Sequence, residues 1–111
     1  MRAILIDPFA REIKEVDYDG DYKKIYELID CKTFDVVNVP SGNDGIYVDD
    51  EGLYKTKQAW FTYRFNAHPM HKNIQLVNKA LVVGCDENGD STETTDTANA
   101  IKGRITWGFV H

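Results

Sequence analysis

The side chains of this 111-residue chain that could carry chemistry are two cysteines, three histidines and 18 carboxylates. His68 and His71 stand three apart, and a zinc site there would need two further ligands. Nothing in the sequence brings Cys31, Cys85 or His111 to them. The same cysteines and histidines are the candidates for nucleophilic catalysis, and neither cysteine lies in a recognisable motif. We therefore expect two reduced thiols, no catalytic residue, no metal and no cofactor.

Many of the carboxylates fall into three clusters along the chain. The clusters are Asp17, Asp19 and Asp21; Asp49, Asp50 and Glu51; and Asp86, Glu87, Asp90, Glu93 and Asp96. One interpretation is a surface that imitates the phosphates of DNA and attracts a nucleic-acid-binding protein through its negative field. The other is a set of solvated turns and helix starts, where Asp is favoured for local reasons. The net charge of −5 is small for a mimic and argues against direct nucleic-acid binding.

The third cluster also has part of the spacing of a calcium-binding loop. Asp86, Asn88 and Asp90 match the first, third and fifth positions of an EF-hand. The sixth position is Ser91 instead of glycine, and the twelfth is Thr97 instead of a bidentate glutamate. Both departures remove what the calcium geometry needs, so we do not expect calcium binding.

The segment 59–65 alternates between two sets of side chains, which is typical of a strand. One set is Phe61, Tyr63 and Phe65, expected to face the core, and the other is Trp60, Thr62 and Arg64, expected to face outward. Trp and Arg are typical of protein-interaction sites, and stacking of a nucleobase on Trp60 is the other use. The competing interpretation is that helices or a partner subunit cover both faces of the sheet. The candidate protein-interaction residues are Trp60, Thr62, Arg64, Asp49, Asp50 and Glu51.

Six or seven strands are predicted to position these residues. They cover residues 2–7, 12–18, 33–39, 46–48, 59–65, 79–85 and 104–110, the first two forming a hairpin with a bulge or an early strand end. The continuous apolar run centred on Leu81 and Val82 predicts a central strand. In the last strand, Ile105, Trp107 and Phe109 are expected to share one face. Residues 66–73 are predicted to be a loop.

Two helices are predicted. The main one has 9 or 10 residues after an Asp21 N-cap, with apolar side chains at Tyr22, Ile25, Tyr26 and Ile29. A short one, capped by Thr95 or Asp96, carries Ala98 and Ile101.

The order of the elements predicts a single α+β domain over residues 1–111, with a mixed or antiparallel sheet. No stretch approaches the roughly 20 apolar residues of a membrane helix, and the N-terminal apolar run is too short for a secretory signal. We therefore expect a cytoplasmic protein without membrane contacts. The uncovered edges of such a sheet also favour a homodimer.

Four segments of the chain resemble a known family. They are Met1–Pro8, Tyr18–Tyr22, Tyr47–Leu53 and Asn78–Gly84, the last followed by an acidic turn. Together they resemble an uncharacterised family of short bacteriophage and mobile-element proteins, domain of unknown function 3846, and the likeness extends from residue 1 to about residue 90. The resemblance implies a phage or mobile-element setting, in the host cytoplasm if phage-encoded, and it implies no catalytic residues.

The function expected from these observations is that of a non-catalytic accessory protein that binds a host or phage protein. Two alternatives stay open. One is an acidic DNA mimic that inhibits a nucleic-acid-binding host protein. The other is a small-molecule-binding or hydrolytic domain, which would require a concave pocket lined by polar groups.

Overall fold

The computed structural model describes residues 1–39, 44–64 and 73–110. In chain order the elements are β1 (Arg2–Asp7), β2 (Glu12–Asp17), α1 (Tyr22–Leu28), β3 (Phe34–Asn38), β4 (Asp44–Asp49), a 3₁₀ helix (Gly52–Tyr54), β5 (Ala59–Tyr63), β6 (Ile74–Val77), β7 (Ala80–Cys85), β8 (Ser91–Thr92), α2 (Ala98–Lys102) and β9 (Ile105–Val110). The strands form two sheets, and every strand pair in the described ranges is antiparallel.

The large sheet has the strand order β2-β1-β7-β4-β3, and β8 adds to the end of β7. The prediction of β7 as a central strand is confirmed, since β1 pairs with it on one side and β4 on the other. Successive side chains of β7 point to opposite faces, and Leu81, Val82 and Val83 are all almost completely buried. The large sheet is therefore covered on both faces.

The two covering layers are different. On one face, Leu5, Leu81 and Val83 pack against Ile25 and Ile29 of α1 and its C-terminal end. On the other face, side chains of β1, β4 and β7 pack against the small sheet and against α2. The members of that second cluster include Ile4, Ile46, Val82, Phe61, Tyr63, Leu76 and Ile101. The molecule is thus layered as helix, large sheet, and small sheet with α2.

The small sheet has the order β6-β5-β9. The predicted alternation of β5 is confirmed: Ala59, Phe61 and Tyr63 are buried, whereas Trp60 and Thr62 are partly exposed. Phe65, predicted to continue the buried face, lies outside the described residues, as do the turn residues 40–43 and the histidines at 68, 71 and 111.

Both helices are short and are fixed by local contacts. The predicted N-cap of α1 is confirmed, because the Asp21 carboxylate accepts a hydrogen bond from the backbone N–H of Lys23 at 3.0 Å. The N-cap of α2 is Thr97, not the predicted Thr95 or Asp96, and its hydroxyl accepts from the Ala100 N–H at 3.1 Å. No helix in the described ranges has the length and apolar character needed to span a membrane.

Several other expectations need correction. Instead of one sheet of six or seven strands there are nine strands in two sheets within the described ranges. Of the two alternatives expected in the first hairpin, a bulge or an early strand end, the early end is found: β1 and β2 pair in continuous register from Arg2 to Asp7, and β2 ends at Asp17, one residue before the expected end. The irregularity lies between β5 and β9, where the register shifts between Ala59 and Phe61. Ile105 lies before this irregularity and is buried. Phe109 lies at the irregularity and is largely exposed, so it does not share the face of Ile105 as expected.

A substitution of Gly84, on β7, tests the packing of the large sheet. A Cβ there would lie 2.2 Å from the carbonyl oxygen of Glu93, a backbone atom that cannot rotate away. Gly84→Ala should therefore lower the free energy of unfolding by about 3 kcal/mol, as overpacking does. Urea denaturation measures the change.

The matched control is Gly103→Ala, whose Cβ would meet its nearest neighbour at an ordinary 3.5 Å with a helical backbone. That variant should stay within about 1 kcal/mol of wild type. Equal losses for the two variants would contradict the described contact between β7 and the 93–94 segment.

Candidate functional site

The outer face of the small sheet carries two of the residues predicted for protein interaction. Trp60 and Thr62 point outward from β5, and Gln75 of β6 and Thr106 of β9 stand directly opposite Thr62 in the register. Directly opposed residues of antiparallel strands share a face. We call the surface formed by Trp60, Thr62, Gln75 and Thr106 the small-sheet face. No element of the described ranges forms a layer over it.

The indole of Trp60 is held in place by a neighbouring amide. Its Nε1–H donates to the Gln58 side-chain oxygen at 3.3 Å, and the Gln58 amide nitrogen donates in turn to the backbone carbonyl of Leu53 at 2.8 Å. Because these contacts tie Trp60 to the 3₁₀ helix, its ring is oriented before any partner binds.

Two depressions flank Trp60. The first, about 470 Å³, lies between Trp60, Thr62, Gln75 and Phe109. The second, about 240 Å³, is also lined by Trp60 and Gln75, and it is bounded by Leu53 and by the acidic residues Asp35, Asp49 and Asp50. Trp60 and Gln75 therefore form a ridge with a concave surface on each side.

The predicted acidic residues divide into two kinds. Asp49 is buried, and its carboxylate pairs with the Lys55 ammonium at 2.7 Å and accepts the Glu51 N–H at 2.9 Å. The bond to Asp49 raises the pKa of Lys55 above its usual value. Asp50 and Glu51 are exposed. Asp49 thus shapes the second depression, and the exposed carboxylates that line it are those of Asp35 and Asp50.

The structure places Arg64 at the end of α2. Its Nη2 donates to the carbonyl oxygen of Gly103 at 2.7 Å and its Nε to that of Arg104 at 3.4 Å. Gly103 caps the C-terminus of α2, where carbonyl groups lack helical partners and a cation is favoured. Arg64 therefore satisfies the helix end as well as lying exposed at the end of the strand.

In the other two acidic clusters, carboxylates also serve local structure. Asp86 accepts from the backbone N–H groups of Asn88 and Asp90, both at 2.9 Å, which closes the turn considered for calcium. Asp96 pairs with Arg104 at 2.7 Å. Asp17 binds the N-terminal amine at 2.8 Å. These contacts account for acidic residues at turns and strand ends without a ligand.

A further cavity, about 750 Å³, lies apart from the small-sheet face and shares no lining residue with the two depressions. Four chain connections meet there: the β1–β2 turn, the end of α1, the segment 55–57 and the β6–β7 turn. These segments are distant along the chain, so no local pattern in the sequence indicates that they meet.

A sequence model of the family described as Domain of unknown function (DUF3846) matches residues 1–106. The chain belongs to this family. The match covers both helices and extends into β9, so both layers around the large sheet are part of the shared domain. No curated protein and no solved structure matches the chain.

Three residues that shape the surroundings of Trp60 were not predicted from the sequence: Gln58, Gln75 and Leu53. Gln75 belongs to β6, a strand that was not predicted. The alternation of residues 74–77 was the available signal, but four residues next to an expected loop carry little weight on their own. The roles of Gln58 and Leu53 depend on the tertiary position of the 3₁₀ helix.

Cys31 lies just after the end of α1 and is partly buried. Burial raises the pKa of its thiol to about 11, the Asp49 carboxylate adds to the shift, and the Lys55 ammonium opposes it. A thiol is nucleophilic only as the thiolate, so these surroundings work against covalent catalysis by Cys31.

Cys31 should therefore react slowly with iodoacetamide in the native protein. In a Cys85→Ser variant, which isolates Cys31, a pKa of about 11 in place of 9.0 implies alkylation at pH 8 about a hundredfold slower than in urea. The native rate should keep rising with pH to about 11. Mass spectrometry of timed samples measures it, and a native rate that levels off below pH 9 would contradict the described environment.

Proposed function

We propose that this protein acts by binding another protein through the small-sheet face, without catalysing a reaction. One observation carries the proposal: Trp60 stands as an oriented ridge between two depressions on a sheet face over which the described chain places no layer. Tryptophan in such a position is typical of the few residues that supply most of the binding energy of an interface.

The chemistry of the surface indicates what kind of partner would fit. Each depression has room for an apolar side chain beside the indole, and the exposed Leu53 extends the apolar area at the rim of the second one. Asp50 and Asp35 line that same depression. A complementary partner would present apolar or aromatic side chains bordered by lysine or arginine.

The geometry also indicates that little conformational entropy is lost when a partner binds. Trp60 is already held by Gln58, so little side-chain freedom is lost when a partner contacts the indole. Thr62 and Thr106, which pair across β5 and β9 on the same face, are short side chains. A phage or mobile-element setting, with a host or phage protein as the partner, is part of the proposal and rests on the family resemblance.

The alternative of a DNA mimic predicts a different dependence on the same residues. A mimic would bind through its field of carboxylates, so binding would fall steeply with salt and would not depend on Trp60. Binding through the small-sheet face would depend strongly on Trp60 and only moderately on salt.

The experiment is affinity capture from bacterial lysate with immobilised wild type, Trp60→Ala and Thr62→Arg, followed by quantitative mass spectrometry. A partner of the small-sheet face should be captured by wild type and lost with both variants. Loss of a residue worth about 2 kcal/mol weakens binding about thirtyfold, which purified components would then measure by calorimetry.

Tyr22 provides the matched controls. It is an exposed aromatic residue on α1, which covers the opposite face of the large sheet. Tyr22→Ala and Tyr22→Arg repeat the two changes there and should retain the partner. Circular dichroism verifies that all four variants are folded. Capture that survives both small-sheet variants, or that is lost equally with the Tyr22 variants, refutes the proposal.

A further inference from the structure

The 750 Å³ cavity has the size and construction of a small-molecule site. Its walls come from the β1–β2 turn with Phe9, the end of α1 with Ile29, the segment with Lys55 and Lys57, and the β6–β7 turn with Lys79. None of these residues lines the small-sheet face, so a function of the cavity would be separate from protein binding there.

Polar contacts fix each wall of the cavity. The Asp7 carboxylate accepts the backbone N–H groups of Phe9 and Ala10, at 3.0 and 3.2 Å, and shapes the first turn. Asn78 is buried, and its side-chain oxygen accepts the Ala59 N–H at 3.1 Å. The cavity therefore exists before a ligand arrives, as binding sites usually do.

The third wall is tied to the end of α1. The Lys55 ammonium donates to the backbone carbonyl of Asp30 at 2.7 Å while it pairs with the Asp49 carboxylate. Asp30 and Asn78 both have left-handed backbone conformations, with φ of 54° and 68°. Aspartate and asparagine adopt that conformation more readily than other residues with a side chain, and here it turns the chain at two walls of the cavity.

Some of the charged groups around the cavity already have a partner within the chain, and others do not. The ammonium of Lys55 is neutralised by Asp49, and one oxygen of Asp7 is occupied by two backbone N–H groups. Lys57 and Lys79, in contrast, form no ion pair with any part of the chain that the structure describes. Two lysines thus have charge available for a ligand, while Asp7 and Asp30 limit how much negative charge the cavity accepts.

From this arrangement we propose that the cavity binds a small organic monoanion with an apolar or aromatic body. A carboxylate or a similar single negative group pairs with Lys57 and Lys79, and the body packs against the ring of Phe9, which is 40% exposed. A multiply charged anion is disfavoured by Asp7 and Asp30, and a purely apolar ligand leaves the lysines unused.

Three probes of one shape separate these chemistries: 2-naphthoate, the neutral 2-naphthalenemethanol and the cationic 2-naphthylmethylammonium. Each is titrated into the ¹⁵N-labelled protein at pH 7 and low salt. Naphthoate should bind most tightly, and its amide shifts should map to residues 7–10, 29–30, 55–57 and 78–79. A neutral or cationic probe that binds as tightly, shifts confined to other surfaces, or no saturable shift at about 5 mM naphthoate overturns the proposal.

Variants test the assignment of the lysines. The double variant Lys57→Gln with Lys79→Gln should weaken naphthoate binding about tenfold, since each partly exposed ion pair contributes about threefold. It should leave the weaker binding of naphthalenemethanol unchanged.

The charge-matched control is Lys14→Gln with Lys23→Gln, on β2 and α1 and outside the cavity lining. Both that control and Trp60→Ala should bind naphthoate as wild type does. Equal weakening by the two lysine pairs would show a general charge effect and refute the site.

Discussion

Strand β7 is apolar on both of its faces, and this constraint arranges the rest of the molecule. Val82 packs into one cluster of the core, whereas Leu81 and Val83 pack into the other. A sheet with such a central strand must be covered twice, because either face left in water would expose a large apolar area. Helix α1 covers one face, and the small sheet with α2 covers the other. The small sheet therefore commits only its inner side chains to the core, and Trp60 is left on the outside.

Carboxylates supply many of the contacts that hold the irregular segments around these layers. Asp44 is buried at the start of β4, and its side chain accepts three hydrogen bonds from Thr94 and Thr95, at 2.8 to 3.1 Å. This fixes the chain between β8 and α2 against the large sheet. A short acidic side chain suits such positions because it reaches several N–H and O–H donors at once. Much of the acidic composition is thus explained by carboxylates that accept hydrogen bonds in turns and connections.

The segment from Asp49 to Gln58 supports both candidate sites. At one end, Asp49 lines the second depression of the small-sheet face while its partner Lys55 lines the cavity. At the other end, Gln58 joins the 3₁₀ helix to the Trp60 indole. A carboxylate as buried as that of Asp49 is stable only when it is paired. The Asp49–Lys55 ion pair is therefore a common structural element of two surfaces that differ in shape and in chemistry.

The sequence by itself determined the local features. Alternation in β5, the apolar run of β7 and the Asp21 cap of α1 each depend on neighbouring residues, so periodicity and capping chemistry predicted them. The division into two sheets depends instead on which strands pair across long stretches of chain, and no local pattern encodes that choice. The small-sheet face was half predictable: Trp60 and Thr62 follow from alternation, but Gln75 comes from a strand only four residues long. The cavity could not be predicted, because only folding brings its four connections together.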